Sequence, residues 1–340
     1  MVGQRQTVAF LGPKASYTHQ ATLECFDESV YDFAPQISIE DVFQAVQSDA
    51  AHRGVVPFEN STNGSVVFTL DLFADLPNRY PDILVCGEVY IGVNHCLLGH
   101  AQKLAVTVSS GSGSPESSGR ATPTTSAPNP AVPRTVPLMD LKHVKKLYSH
   151  PQAWGQCKTF LSGYLKGVER QDVSSTSKAA ELVAQDTGGT SAAISSRIAA
   201  KIHHLDLLAS GIEDFPDNTT RFFVLRKASA DASAQSSDSE NHIDTNMDED
   251  MSRYKTLVSF TVDHNDPGAL AESLAVFKPY KLNLTSINAR PSGIVPWNYI
   301  FFVEIKGRRL EKDGAVNAAL KDLGDTAKGW RWLGSWKSEL

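Results

Sequence analysis

Between residues 7 and 227 short apolar runs alternate with amphipathic stretches at helical spacing, and that rhythm restricts the chain to α/β architectures. The pattern predicts strands at 7–11, 54–57, 83–91, 93–98, 143–148, 168–173, 191–194, 206–210 and 221–226. It predicts helices at 17–27, 38–48, 65–76, 151–164, 176–186 and 195–203. Such alternation implies crossover units and largely parallel sheets covered on both faces. Ligands of these sheets bind in the loops that lead from strands into helices. From residue 255 the rhythm changes to strand 255–262, helix 268–279, strand 282–290, strand 298–305, helix 311–323 and strand 329–336. That βαββαβ order is a ferredoxin-like unit.

Two stretches interrupt the pattern. Residues 108–137 are dominated by Ser, Thr, Pro and Gly and read as an insertion within a domain. Residues 228–252 join an Ala/Ser run to acidic residues and read as a linker, because the pattern differs after them. The expected division is therefore a two-lobed region at 6–227, a linker at 228–252 and a small domain at 253–340. A formal net charge of −6 over 340 residues argues against nucleic acid as a partner. The run Thr7–Leu11 begins almost at once, leaving no room for a cleaved leader, and no apolar stretch reaches the ~20 residues of a membrane span. Cys25, Cys86, Cys96 and Cys157 are scattered, which fits reduced thiols in the cytoplasm and neither a disulfide frame nor a zinc site. The ten histidines are scattered too, so no metal site is expected.

Four loops hold more polar side chains than most turns. In Gly12-Pro13-Lys14-Ala15-Ser16-Tyr17-Thr18, Ser16 is placed to cap a helix, and the same groups suit an anion. In Glu59-Asn60-Ser61-Thr62-Asn63-Gly64-Ser65, turn chemistry accounts for Asn63–Ser65 but not for Glu59-Asn60-Ser61. Ser149-His150-Pro151-Gln152 has the spacing of a capping box, with Gln156 one turn beyond Gln152. The fourth, Glu213–Thr220, enters a strand in which Thr220 and Phe222 share one face and Arg221 takes the other, unless a bulge intervenes. No Ser-His-Asp order, Walker loop or dinucleotide fingerprint occurs. The residues alone reach a two-domain α/β protein suited to a small anion.

Val56-Pro57-x-Glu59-Asn60-Ser61-x-x-Gly64, Ser149-His150-Pro151-Gln152-Ala153-x-x-Gln156-Cys157 and Asn218-x-Thr220-Arg221-Phe222, in this order, resemble the motifs of the prephenate dehydratase family. The resemblance covers about 7–99 and 140–340. The opening loop departs from the family's Gly-Pro-x-Gly-Thr-x-Ser by Ala15, Ser16 and Thr18, which keep both hydroxyls. The resemblance implies two periplasmic-binding-protein-like lobes with prephenate in a cleft, followed by an ACT domain. Asp266-Pro267-Gly268-Ala269-Leu270 and Asn283-Leu284-Thr285-x-Ile287-Asn288-Ala289-Arg290-Pro291 are similar to its two phenylalanine-associated motifs, although Asn288-Ala289 stand where Glu-Ser is usual.

On that resemblance Thr220 is the catalytic hydroxyl. Ser16, Thr18, Asn60, Ser61, Ser149, Gln156, Arg221 and Phe222 bind substrate, and Glu59 holds its loop in shape. Arg221 meets a carboxylate if the strand bulges there and is otherwise a structural ion-pair partner. Gly268, Ala269, Leu270, Asn288 and Arg290 bind L-phenylalanine as effector. No cofactor or metal is expected, and the ACT unit implies a homo-oligomer, dimer or tetramer. Arogenate in place of prephenate, and a catalytically silent amino-acid sensor of the same fold, are the competing readings. A chorismate mutase fusion would need a further helical domain.

Overall fold

The computed structural model describes residues 5–75, 78–101, 132–228 and 250–339. In chain order these form β1 (Gln6–Leu11), α1 (Tyr17–Cys25), β2 (Tyr31–Gln36), α2 (Ile39–Gln47), β3 (Arg53–Asn60), β4 (Gly64–Ser65), α3 (Val67–Ala74), β5 (Ile83–Gly92) and β6 (Cys96–Gly99). Then come β7 (Lys146–Ser149), α4 (Pro151–Gln156), α5 (Lys158–Tyr164), β8 (Glu169–Asp172), α6 (Thr176–Ala184), β9 (Ser191–Ser195), α7 (Arg197–His203), β10 (Asp206–Ser210) and β11 (Thr219–Lys227). The last part holds β12 (Tyr254–Thr261), α8 (Ala269–Ala275), β13 (Leu284–Pro291), β14 (Tyr299–Lys306), α9 (Ala315–Thr326) and β15 (Gly329–Lys337). The insertion expected at 108–137 lies outside the described residues up to 131, and the linker expected at 228–252 lies outside them from 229 to 249.

The described residues of Met1–Leu11, Ala21–Tyr90 and Thr220–Leu340 form one compact unit, and those of Gly12–Gln20 and Ile91–Thr219 form another. In the first, one sheet runs β13-β14-β12-β15-β5-β11-β3-β1-β2, with β4 paired to β3. The βαββαβ order expected after residue 255 is present in it as β12-α8-β13-β14-α9-β15. One face of its strands (Val258, Phe260, Val303, Ile305) packs on Leu320 and Leu323 of α9. The other (Leu257, Phe302) joins a core with Val56, Phe58, Phe223 and Trp336. Burial on both faces leaves six consecutive β12 residues, Lys255–Phe260, out of solvent. Gly334 makes the junction between β15 and β5, where it pairs with Val85. A Cβ there would lie 2.1 Å from the Val85 carbonyl oxygen, so only glycine allows the approach.

The second unit carries a five-stranded sheet in the order β10-β6-β9-β7-β8. Its core joins Leu97, Leu147, Phe160, Leu161 and Ile194. Both sheets are mixed rather than largely parallel: β11 runs antiparallel to β3, and β6 antiparallel to β9 and β10. Strand β2 was missed because Tyr31-Asp-Phe-Ala-Pro-Gln is an edge strand with no fully buried residue and an internal proline. The single helix expected at 151–164 is two helices, broken at Cys157.

Candidate functional site

β11 and β3 bring two of the sequence motifs together. Thr220 pairs with Asn60 and Arg221 with Glu59, but Phe222 pairs with Pro57, so Phe58 is an extra residue that bulges β3. Its ring is buried and stacks on Phe223 with centroids 4.0 Å apart. Beyond the bulge, Asn60 Oδ1 accepts from the N–H groups of Thr62 (3.0 Å) and Asn63 (2.9 Å), an Asx turn closed by Gly64 at φ +79°. With its oxygen held by the turn, Asn60 presents Nδ2 to Thr220 and donates to Oγ1 at 2.9 Å. Thr220 therefore accepts from Asn60 and keeps its own O–H for donation. Thr220 is partly open and Ser61 is exposed. Glu59 and Asn60 pair through their backbones with Ser65 and Gly64.

Arg221 requires a correction. The bulge falls in β3 and not in Arg221's own strand, and the guanidinium takes the other expected role, a structural ion-pair partner: it is committed to protein carboxylates and only 7% of the side chain is exposed. Nε donates to Glu88 at 2.8 Å and Nη2 pairs with Glu304. Lys255 completes the cluster, donating to Glu88 Oε1 at 3.0 Å. Two carboxylates and two cations thus neutralise one another in the interior, under the rings of Phe58 and Phe223. Phe222 is also buried, so it presents almost no surface for a ligand ring to pack against. Glu88, Lys255 and Glu304 were not selected from the sequence, since each lies within a strand, outside the loop motifs and far along the chain from Arg221.

In the second unit Ser16 acts as the expected cap, its Oγ accepting from the His19 N–H at 3.1 Å. Ala15 takes φ +69°, the left-handed turn that glycine would adopt without strain. Thr18 is buried on α1. Ser149 is not a capping residue. It ends β7 pointing inward, is fully buried and donates to the Ile194 carbonyl at 3.0 Å, which leaves His150 as the cap of α4, accepting from Gln152 N–H. The Ser149 hydroxyl proton thus goes to the Ile194 carbonyl. Asp214 caps α5 from afar, accepting from the N–H groups of Lys158 and Thr159. Gln156 ends α4 and is held by a residue not selected from the sequence: His95 Nε2 lies 2.6 Å from Gln156 Oε1. The scattering of the histidines hid it. Among the described residues no cluster of three His, Cys, Asp or Glu side chains suits a metal ion.

Three of the five residues expected to hold an effector line one cavity. Gly268, Ala269 and Leu270 line a cavity of about 580 Å³ with Asp266, Trp297 and Tyr299. Asn288 and Arg290 lie on β13 and are not among the residues that line it. Ser65 Oγ donates to Asn288 Oδ1 at 2.6 Å, and Arg290 grips Asp71 bidentately at 2.6 and 3.0 Å. The i, i+2 spacing places both on the β13 face that meets Ser65 and α3.

The family model described as prephenate dehydratase matches residues 8–230. A bifunctional chorismate mutase/prephenate dehydratase of Aquifex aeolicus is 34% identical, the match covering 98% of this chain and 74% of the relative. A probable prephenate dehydratase of Saccharomyces cerevisiae is 30% identical, covering 97% of this chain and 96% of the relative. A prephenate dehydratase of Arthrobacter aurescens solved in complex with L-Phe matches with a TM-score of 0.72 at 24% identity, covering 97% of this chain and 90% of that one.

Proposed function

This chain belongs to the prephenate dehydratase family, and from that premise we propose that Thr220 assists departure of the ring hydroxyl as prephenate becomes phenylpyruvate. The enzyme is a carbon–oxygen lyase of aromatic amino acid biosynthesis. As carbon dioxide leaves, the electron pair of its C–C bond enters the ring, the C–O bond breaks and the ring becomes aromatic. Negative charge goes out on the departing oxygen as hydroxide. A donor aimed at that oxygen stabilises the transition state more than the ground state.

The observation that carries the reading is the Asn60–Thr220 hydrogen bond. A threonine is too weak an acid to give up a proton outright, but one that already accepts from Asn60 is oriented as a donor. Ser61 is read as a substrate contact, and so, each from the family motif it belongs to, are Ser16 and Gln156. Asn60→Asp tests this directly. A carboxylate accepts rather than donates, so it would draw the Thr220 proton toward itself, and phenylpyruvate formation should fall by about 10²–10³. Wild-type turnover in a folded Asn60→Asp variant would remove the Asn60–Thr220 unit from the mechanism. Prephenate is the preferred substrate on this reading. Supplying arogenate in parallel tests it, and a higher kcat/KM for arogenate would reverse the assignment.

We further propose that residues 253–340 form an ACT regulatory domain behind the catalytic region at 6–227, and that L-phenylalanine inhibits by occupying the cavity at Gly268–Leu270. Support comes from the apolar lining of Leu270, Trp297 and Tyr299 and from the phenylalanine bound to the Arthrobacter protein. Asn288 and Arg290 are left out of that site, because their polar atoms are engaged with Ser65 and Asp71. The edge strand β13 exposes Ile287 and favours self-association of this domain. The free cysteines suit a cytoplasmic location.

A further inference from the structure

We propose that His95 is a positioning residue that fixes the side-chain amide of Gln156 with its N–H groups toward the substrate. The inference rests on the reading of Gln156 as a substrate contact. The geometry begins with the 2.6 Å approach of His95 Nε2 to Gln156 Oε1. An amide oxygen only accepts, so the ring nitrogen facing it carries the proton. The other face of Gln156, its NH2 group, is then the one presented away from His95, and a donor is what a dianionic substrate requires.

Everything around His95 holds the ring in that role. The residue is 2% exposed. Its backbone N–H donates to the buried Glu213 carboxylate at 2.8 Å, and Arg134 pairs with the same carboxylate. Tyr17 packs edge-on against the ring, its hydroxyl 3.4 Å from Nδ1 and 3.2 Å from the Asn94 carbonyl, so its single proton is shared between those two acceptors when Nε2 carries the ring proton. Gln156 is held at its backbone too, its carbonyl accepting from the Asp214 N–H at 2.7 Å. Burial lowers the imidazole pKa, opposed by the Gln156 bond and the nearby Glu213, which favours a neutral ring. A neutral imidazole has one N–H, and Gln156 selects Nε2. The proposal gives a task to a buried histidine that the reaction itself does not use.

The test compares His95→Leu, which fills the space without the donor, with His95→Gln, whose amide nitrogen can replace Nε2. A substrate carboxylate bound equally in ground and transition states appears in KM. His95→Leu should therefore raise the KM for prephenate about tenfold with kcat little changed, the scale of one lost hydrogen bond. His95→Gln should recover most of that loss, and His95→Leu should add nothing on top of Gln156→Ala. If Gln156→Ala is impaired but the two losses multiply, His95 does not act through Gln156 and the proposal fails. If Gln156→Ala leaves KM and kcat unchanged, the substrate role of Gln156 fails and takes the proposal with it. Should His95→Leu not fold, 15N NMR of the unmodified enzyme decides instead. A neutral ring protonated at Nε2 is expected at pH 7.5, and a proton at Nδ1 alone would overturn the proposal.

Discussion

Replacing Glu304 by Gln removes one negative charge from a buried group of two carboxylates and two cations. The Glu304 side chain is 2% exposed and that of Arg221 7%, so water compensates for little of what is lost. Breaking a buried pair by removing one partner typically costs about 3–5 kcal/mol. Arg221 keeps Glu88 and Lys255 keeps Glu88, which places Glu304→Gln at the lower end, about 3 kcal/mol. Glu88 also accepts from the Glu339 N–H at 3.1 Å, so Glu88→Gln strips more partners and belongs at the upper end, about 5 kcal/mol. Urea denaturation measures both. With an m-value of about 3 kcal/mol/M, Glu304→Gln should lower the midpoint by about 1 M. Adding Lys255→Met to Glu304→Gln restores charge balance and should recover part of the loss. A cost below about 1 kcal/mol for Glu304→Gln, or a larger cost than for Glu88→Gln, would refute the closed charge cluster.

The same cluster sets an acid limit. Burial alone would raise the Glu88 carboxyl, but Arg221 and Lys255 hold it below its ordinary 4.5. A depressed carboxylate stabilises above its unfolded pKa and loses that contribution as pH falls through the folded value. Stability should therefore decline below about pH 4.5, and Glu88→Gln should flatten that decline in a pH series of urea midpoints. Gly334→Ala places a methyl against the Val85 carbonyl and should cost at least about 1–3 kcal/mol of strain by the same assay. Trp297→Ala opens one wall of the cavity at Gly268–Leu270 and should weaken phenylalanine binding in calorimetry about tenfold or more; unchanged affinity would move the effector elsewhere.

Much of this architecture is legible in the sequence, because hydrophobic period reports which residues are buried. The alternation before residue 227 and the βαββαβ order after 255 each correspond to observed elements. What is missed depends on partners far along the chain. Arg221 looks free to bind a substrate until Glu88, 133 residues away, and Glu304, 83 residues away, are brought beside it. The break at Cys157 is invisible in the helical periodicity of 151–164, since Asp214 caps the second helix from 55 residues off. Ser149 carries the spacing of a capping box, but it ends a buried strand and its hydroxyl goes to Ile194. Conversely, the Asn60 and Thr220 motifs are each an ordinary turn when read alone, and their juxtaposition comes from the antiparallel pairing of β3 with β11.

The most direct measurement is phenylpyruvate formation from prephenate by Thr220→Ala beside Thr220→Ser. Serine keeps a hydroxyl that can accept from Asn60 and donate onward, so Thr220→Ser should retain a substantial share of turnover. Thr220→Ala should lose about 10²–10³ in kcat while remaining folded and still binding prephenate. A folded Thr220→Ala enzyme that turns over prephenate at the wild-type rate would contradict the assignment of Thr220 as the group that assists the departing hydroxyl.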